Sequence, residues 1–206
     1  MRLLMNGHAA WLARDRPGDP RLGLLINPRG GHGRDSIEAA RVPWAVDNDA
    51  FKSFDEARFL RALASLSGLP GCLWVATPDI VGDASRTLAL FSLWEPRIRA
   101  LGYPVALVAQ DGLESLPIPW DRLDAVFLGG STEWKLSLPA EEIGFEAKAR
   151  GKHLHMGRVN SAKRLRHAFE IGCDTVDGTS YSAFRDVNLP KAMRSMRRLE
   201  RTPCLF

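Results

Sequence analysis

The chain has 206 residues, 45% of them hydrophobic and 25% charged, with a formal net charge of +4. That length most simply makes one domain, 1–206, with a substantial buried core, and the composition excludes a disordered polymer. The longest apolar runs, such as CLWVA and AVFLG, are far too short to span a bilayer as a helix, and MRLLMNGHAAWL has no apolar stretch ahead of a cleavage signature, so a cytoplasmic protein is expected.

In chain order the apolar, β-rich runs are RLLMN (2–6), LGLLIN (22–27), WAVDN (44–48), CLWVAT (72–77), VALVAQ (105–110), AVFLGG (125–130), HLHMGR (153–158) and CDTVDG (173–178), eight predicted strands. Most are continuously apolar rather than alternating, as parallel strands covered on both faces require. Between them lie helical patterns. Residues 53–68 open with Ser53 as a predicted N-cap and Glu56 three residues on, and stop at Gly68. Residues 83–102 read as helix from Asp83, with an interruption expected at Pro96. Residues 160–172 start at an Asn/Ser cap and end at Gly172. The proline-containing link 111–123 predicts no secure crossover helix. Strand and helix in alternation imply a parallel sheet. Eight strands favour an α/β fold of the compact (β/α)8 TIM-like barrel type, with an open doubly wound sheet as the alternative. NPRGGHG (27–33) lacks the Gly-Lys-Ser/Thr ending of a phosphate loop and reads as a flexible loop.

Metal chemistry has little support. Cys72, Cys173 and Cys204 form no CxxC pair, and His153 and His155 share a strand face without a third ligand nearby. No metal and no cofactor are expected. The tryptophans Trp44, Trp74 and Trp134 could stack on a base, but core packing is the safer expectation.

In a barrel, functional side chains sit where strands end. The strand ends here present Asp47, Asp79, Gln110, Gly129 with Gly130, Met156 with Gly157, and Asp177. Each alone is explained as a cap or turn residue; as a set they suit a purine-like base, with carboxylates accepting from N–H groups, an amide doing both, and glycines admitting a flat ring. Two separated aspartates can divide a glycosidic displacement into nucleophile and acid/base. Asp177 stands at the exit of the last strand and is the expected nucleophile, whereas Asp174 is expected to be structural.

Taken in order, WAVDNDAF, VATPDIVGDA, HMGRVNSAKRLRHAFEIGCDTVDGTSYS and LLMNGHAAWL, with the weaker ALVAQDG and FLGGSTEWK, resemble the tRNA-guanine transglycosylase superfamily, and more closely its phage and bacterial 7-deazaguanine DNA transglycosylase branch. The resemblance covers residues 1–182. It implies Asp47 as acid/base, Asp177 as nucleophile, and Asp79, Gln110, Gly129, Gly130, Met156 and Gly157 as the base pocket. It further implies exchange of guanine in DNA for a free 7-deazaguanine such as preQ0, through a covalent aspartyl–sugar intermediate. Two departures stand out: the zinc subdomain of the tRNA enzymes is absent, and Asp49 replaces the branch's usual glycine.

The excess positive charge falls in the last third. Arg158 and Lys163 lie beside the seventh strand, and Lys191, Arg194, Arg198 and Arg201 form one helical stripe in a basic C-terminal helical tail, 183–206. These predict a nucleic-acid interface with salt-dependent affinity. The alternatives are exchange on RNA, hydrolysis of the base without replacement, and a non-catalytic nucleic-acid-binding protein.

Overall fold

The computed structural model describes residues 1–30, 33–50 and 53–201. Eight parallel strands close into a barrel in sequence order: β1 (Arg2–Asn6), β2 (Leu22–Ile26), β3 (Trp44–Val46), β4 (Cys72–Ala76), β5 (Val105–Ala109), β6 (Ala125–Leu128), β7 (His153–Met156) and β8 (Thr175–Asp177). Closure is made by β1 against β8, with Leu4 opposite Asp177. Helices α1 (Ala9–Asp15), α2 (Arg34–Ala40), α3 (Glu56–Ser65), α4 (Ala84–Ala100), α5 (Thr132–Lys135), α6 (Leu138–Ala149), α7 (Ala162–Glu170), α8 (Thr179–Ala183) and α9 (Arg185–Arg201) form the outer ring. The link between β5 and β6 holds only two 3-10 turns, Leu113–Ser115 and Trp120–Arg122. No helix among the described residues is long and apolar enough to cross a membrane.

The strands carry two apolar layers. Leu4, Leu25, Ala45, Trp74, Ala76, Ala106, Val108 and Ala125 pack together inside the barrel. Residues of the opposite parity, among them Leu3, Met5, Val75, Leu107, Val126, Leu154, Met156 and Val176, pack against the helices. Burial on both faces is why the strands read as unbroken apolar runs.

Several local expectations are corrected. The N-cap of α3 is Asp55, whose carboxylate accepts from the Arg58 amide, rather than Ser53. Helix α4 runs through Pro96 without a break. A proline at that position leaves the Ser92 carbonyl without its helical donor, and the Arg122 guanidinium reaches that carbonyl at 3.4 Å. The basic tail is a packed part of the ring: Leu189, Ala192, Met193 and Met196 of α9 are buried. Trp44, Trp74 and Trp134 are core residues, as expected. Cys173 is buried and Cys72 half-buried, while Cys204 lies outside the described residues. Of the 27–33 loop, residues 31–32 also lie outside them.

Candidate active site

Alternation along the strands decides which residues reach the C-terminal mouth of the barrel. Inward positions continue Ala45 to Asp47, Val108 to Gln110, Phe127 to Gly129, His155 to Gly157 and Thr175 to Asp177. Met156 has the other parity; it is 1% exposed and packs in the outer layer, so the expectation that its side chain lines the base pocket is corrected.

Asp47 follows β3 directly. One of its carboxylate oxygens accepts from the Asn48 amide at 2.8 Å. Burial, then the charges of Asp177 and Asp79, push its pKa up to about 7. Three carboxylates therefore converge at one mouth, and Asp47 among them holds a proton near neutrality.

Asp79 is clamped by two amides. Asn48 Nδ2 donates to Oδ1 at 2.7 Å and Gln110 Nε2 to Oδ2 at 2.6 Å. Burial raises its pKa, against those two hydrogen bonds and the charge of Arg158. Gln110 is 1% exposed, and its carbonyl oxygen accepts from the Gly82 amide at 2.9 Å. It thus orients Asp79, and both ends of its amide are already engaged. Asn48 went unnoticed in the sequence. It is buried, donates also to the Thr77 carbonyl at 2.6 Å, and accepts from the Ala50 amide at 2.7 Å, tying the β3 and β4 loops together.

Asp49 has a structural account. Its φ is +58°, the left-handed region that glycine enters freely and aspartate tolerates better than most residues. Its carboxylate accepts from Asn27 Nδ2 at 3.1 Å and pairs with the Arg29 guanidinium.

On the opposite wall, Asp177 Oδ1 lies 3.2 Å from His155 Nε2 and 3.2 Å from the Arg158 amide. Its Oδ2 has no hydrogen bond among the described residues. Gly157 is required here, since a Cβ would stand 2.5 Å from the Phe127 ring and 3.3 Å from Asp177 Oδ1. Beneath it Lys135, 2% exposed, donates from Nζ to the Gly157 carbonyl at 2.6 Å. Burial, helped by the charge of Arg158, lowers its pKa to about 7, while Asp177 acts in the other direction. Lys135 was also missed, because a lysine in a short polar segment gives no sign of burial.

Gly129 and Gly130 are held within the protein. Both amides donate to the Ala109 carbonyl at 3.0 Å, and both carbonyls accept from the Arg158 guanidinium. Arg158, half-buried at the mouth, accordingly directs its guanidinium at these two carbonyls. Each carbonyl keeps a second lone pair for a ligand. Beside Asp177 a pocket of about 320 Å³ is lined by Leu4, Asn6, His8, Gly178, Thr179 and Ser182, enough for a small ligand or part of a larger one. His8 is fixed by the Ser182 carbonyl at 2.9 Å. A larger cavity, about 600 Å³, opens at the far end of the barrel around Arg2, Trp44, Pro70 and Cys72. It holds none of the converging carboxylates, so the mouth is the better candidate despite its smaller volume.

Asp174 lies at the base, where Lys148 Nζ contacts both its oxygens at 2.8 and 2.6 Å. Lys163, in the first turn of α7, is exposed on the mouth side. Lys191, Arg194, Arg198 and Arg201 are exposed on α9, opposite its buried face. Helix α9 returns from the mouth, and its 17 residues span about 25 Å. Near its end Glu200 pairs at 2.9 Å with Arg21, which precedes β2 at the base. The stripe descends the flank because the return helix must carry the chain away from the strand's C-terminal end. Among the described residues no group of histidine, cysteine and carboxylate side chains could hold a metal ion.

No family model matches the sequence, and no curated protein matches it. Among solved structures the chain is similar to 3-hexulose-6-phosphate synthase from Salmonella typhimurium, with a TM-score of 0.52, 13% identity, and coverage of 97% of this chain and 98% of that chain. At that identity the likeness establishes the TIM-barrel fold, end to end, and the chemistry has to be argued from the mouth itself.

Proposed function

We propose that the protein is a pentosyltransferase that exchanges guanine in DNA for a 7-deazaguanine base such as preQ0. The observation that carries this reading is the convergence of Asp47, Asp79 and Asp177 at one mouth of the barrel, where burial and the two neighbouring charges push the Asp47 pKa up to about 7. Near neutrality such a site offers a proton donor and a carboxylate nucleophile together.

Asp177 attacks C1′ of the guanosine nucleotide, and the departing guanine takes a proton from Asp47. The incoming 7-deazaguanine gives its N9 proton to Asp47 and displaces Asp177, so two displacements retain configuration at C1′. Asp79, set by Asn48 and Gln110, accepts from the N–H edge of the base, and the Gly129 and Gly130 carbonyls supply further acceptors. A guanine inside a duplex has to be turned out of the stack to reach this mouth, with Lys163, exposed in the first turn of α7, an expected phosphate contact.

The test is incubation with guanine-containing double-stranded DNA and preQ0, followed by digestion and mass spectrometry of the nucleosides, with Asp177→Asn and an RNA substrate alongside. A deazaguanine deoxynucleoside that depends on Asp177 supports the proposal; product on RNA alone, or none on any substrate, overturns it. The flank position of the α9 stripe favours a second reading, exchange on a short strand or free nucleoside, which deoxyguanosine as substrate separates from the first.

A further inference from the structure

We propose that His155 is a positioning residue for Asp177: held as its Nε2–H tautomer by Thr175, it donates to Oδ1 and leaves Oδ2 as the oxygen that bonds C1′. The inference rests on Asp177 being the nucleophile.

A hydrogen-bonded chain runs up the inside of the barrel. His153 Nε2 lies 2.8 Å from Thr175 Oγ1, which lies 2.9 Å from His155 Nδ1, and His155 Nε2 lies 3.2 Å from Asp177 Oδ1. An ionised carboxylate only accepts, so His155 Nε2 carries the proton towards it. His155 Nδ1 then accepts from the Thr175 hydroxyl, and that oxygen accepts from His153 Nε2–H. Only one arrangement of protons satisfies every member. His155 and Thr175 are fully buried, and the imidazole is wedged against Trp74 and Phe127, with ring centroids 4.8 and 4.5 Å away. Burial lowers its pKa, consistent with a neutral ring. With Oδ1 also facing the Arg158 amide, Oδ2 is the oxygen left without a donor among the described residues.

In the first step the Oδ2–C1′ bond forms as C1′–N9 breaks; the electron pair goes to the departing guanine, which takes its proton from Asp47. Oδ1 becomes the ester carbonyl, still facing both donors. In the second step the incoming base bonds C1′, and the C1′–Oδ2 pair returns to the carboxylate. Donors at Oδ1 stabilise a carboxylate more than an ester carbonyl, because charge-assisted hydrogen bonds are the stronger kind. They therefore favour release of the sugar.

Nitrogen-15 NMR of the histidine side chains in the intact protein reads the tautomer without any substrate. We expect a neutral Nε2–H imidazole for His155, converted to a mixture by Thr175→Val; an Nδ1–H or doubly protonated ring at neutral pH overturns the proposal. In parallel, the covalent DNA–protein adduct is measured at steady state on denaturing gels. His155→Leu should raise the adduct fraction on the order of tenfold, and His155→Gln, whose amide can donate from the same place, should restore it towards the parent. Equal behaviour of Leu and Gln makes His155 a packing residue and overturns the proposal. If the parent protein itself forms no adduct, the transglycosylase reading fails and the Oδ2 assignment fails with it, while the NMR result still decides the tautomer.

Discussion

Gln110 Nε2 stands 2.6 Å from Asp79 Oδ2, so the amide that the chain order offers as a reader of the base is spent on holding a carboxylate. Gln110→Met removes that donor with little change in volume. The expected result is a rise of about tenfold in the KM for the incoming base, the scale of one charge-assisted hydrogen bond, with a comparable loss in covalent-adduct formation, because the departing guanine uses the same Asp79 acceptor. Steady-state kinetics against preQ0, with adduct formation measured separately, checks this. Unchanged values for both would mean that Asp79 does not read the base.

Asp47 makes stability depend on pH in a defined direction. Its pKa is raised from 3.8 to about 7, so the folded state holds the proton more firmly than the unfolded chain between those values. Its contribution to stability falls as pH rises through that window and is level above it. Asp47→Asn removes the buried charge, and urea unfolding should show a gain on the order of 1–3 kcal/mol at pH 8 that shrinks towards zero at pH 4. The same substitution should abolish base exchange. A variant destabilised at pH 8 would refute the electrostatic account.

Asp49 permits a separation of backbone from side chain. At its φ of +58° both Asp49→Ala and Asp49→Gly lose the Arg29 pair, but only alanine keeps the left-handed penalty, on the order of 1 kcal/mol. Thermal unfolding should rank the alanine variant below the glycine variant. Equal stability would show that the ion pair alone matters.

The α9 stripe should act on long DNA rather than on catalysis. Replacing Lys191, Arg194, Arg198 and Arg201 together by glutamine is expected to leave exchange on a short hairpin unchanged. It should flatten the salt dependence of binding to a long duplex by about 0.9 in log–log slope per phosphate contact removed. Filter binding across a salt series measures the slope; loss of exchange on the hairpin would place the stripe closer to the reaction than the flank allows.

Much of this protein could be read locally. Strand positions followed from eight apolar runs, because burial on both faces of a barrel wall leaves an unbroken apolar signature in the chain. The mouth aspartates Asp47 and Asp177 followed from strand ends, since a polar residue that closes an apolar run has few places to go. The helical stripe of α9 followed from residue spacing alone.

What the tertiary structure alone decided is the company each group keeps. His155 in an apolar strand and Lys135 in a short polar helix look ordinary in sequence; closing β7 onto β8 and packing α5 beneath Gly157 bring both to Asp177. Met156 left the site by one step of alternation, Arg158 directed its guanidinium at the Gly129 and Gly130 carbonyls, and α4 continued through Pro96 where a distant arginine reaches the exposed carbonyl. The basic stripe lies along the flank because a return helix must run antiparallel to the strand it follows. Hydrophobic periodicity is a property of neighbours in the chain, whereas burial, charge coupling and hydrogen-bond partners belong to neighbours in space, and those are chosen only when the barrel closes.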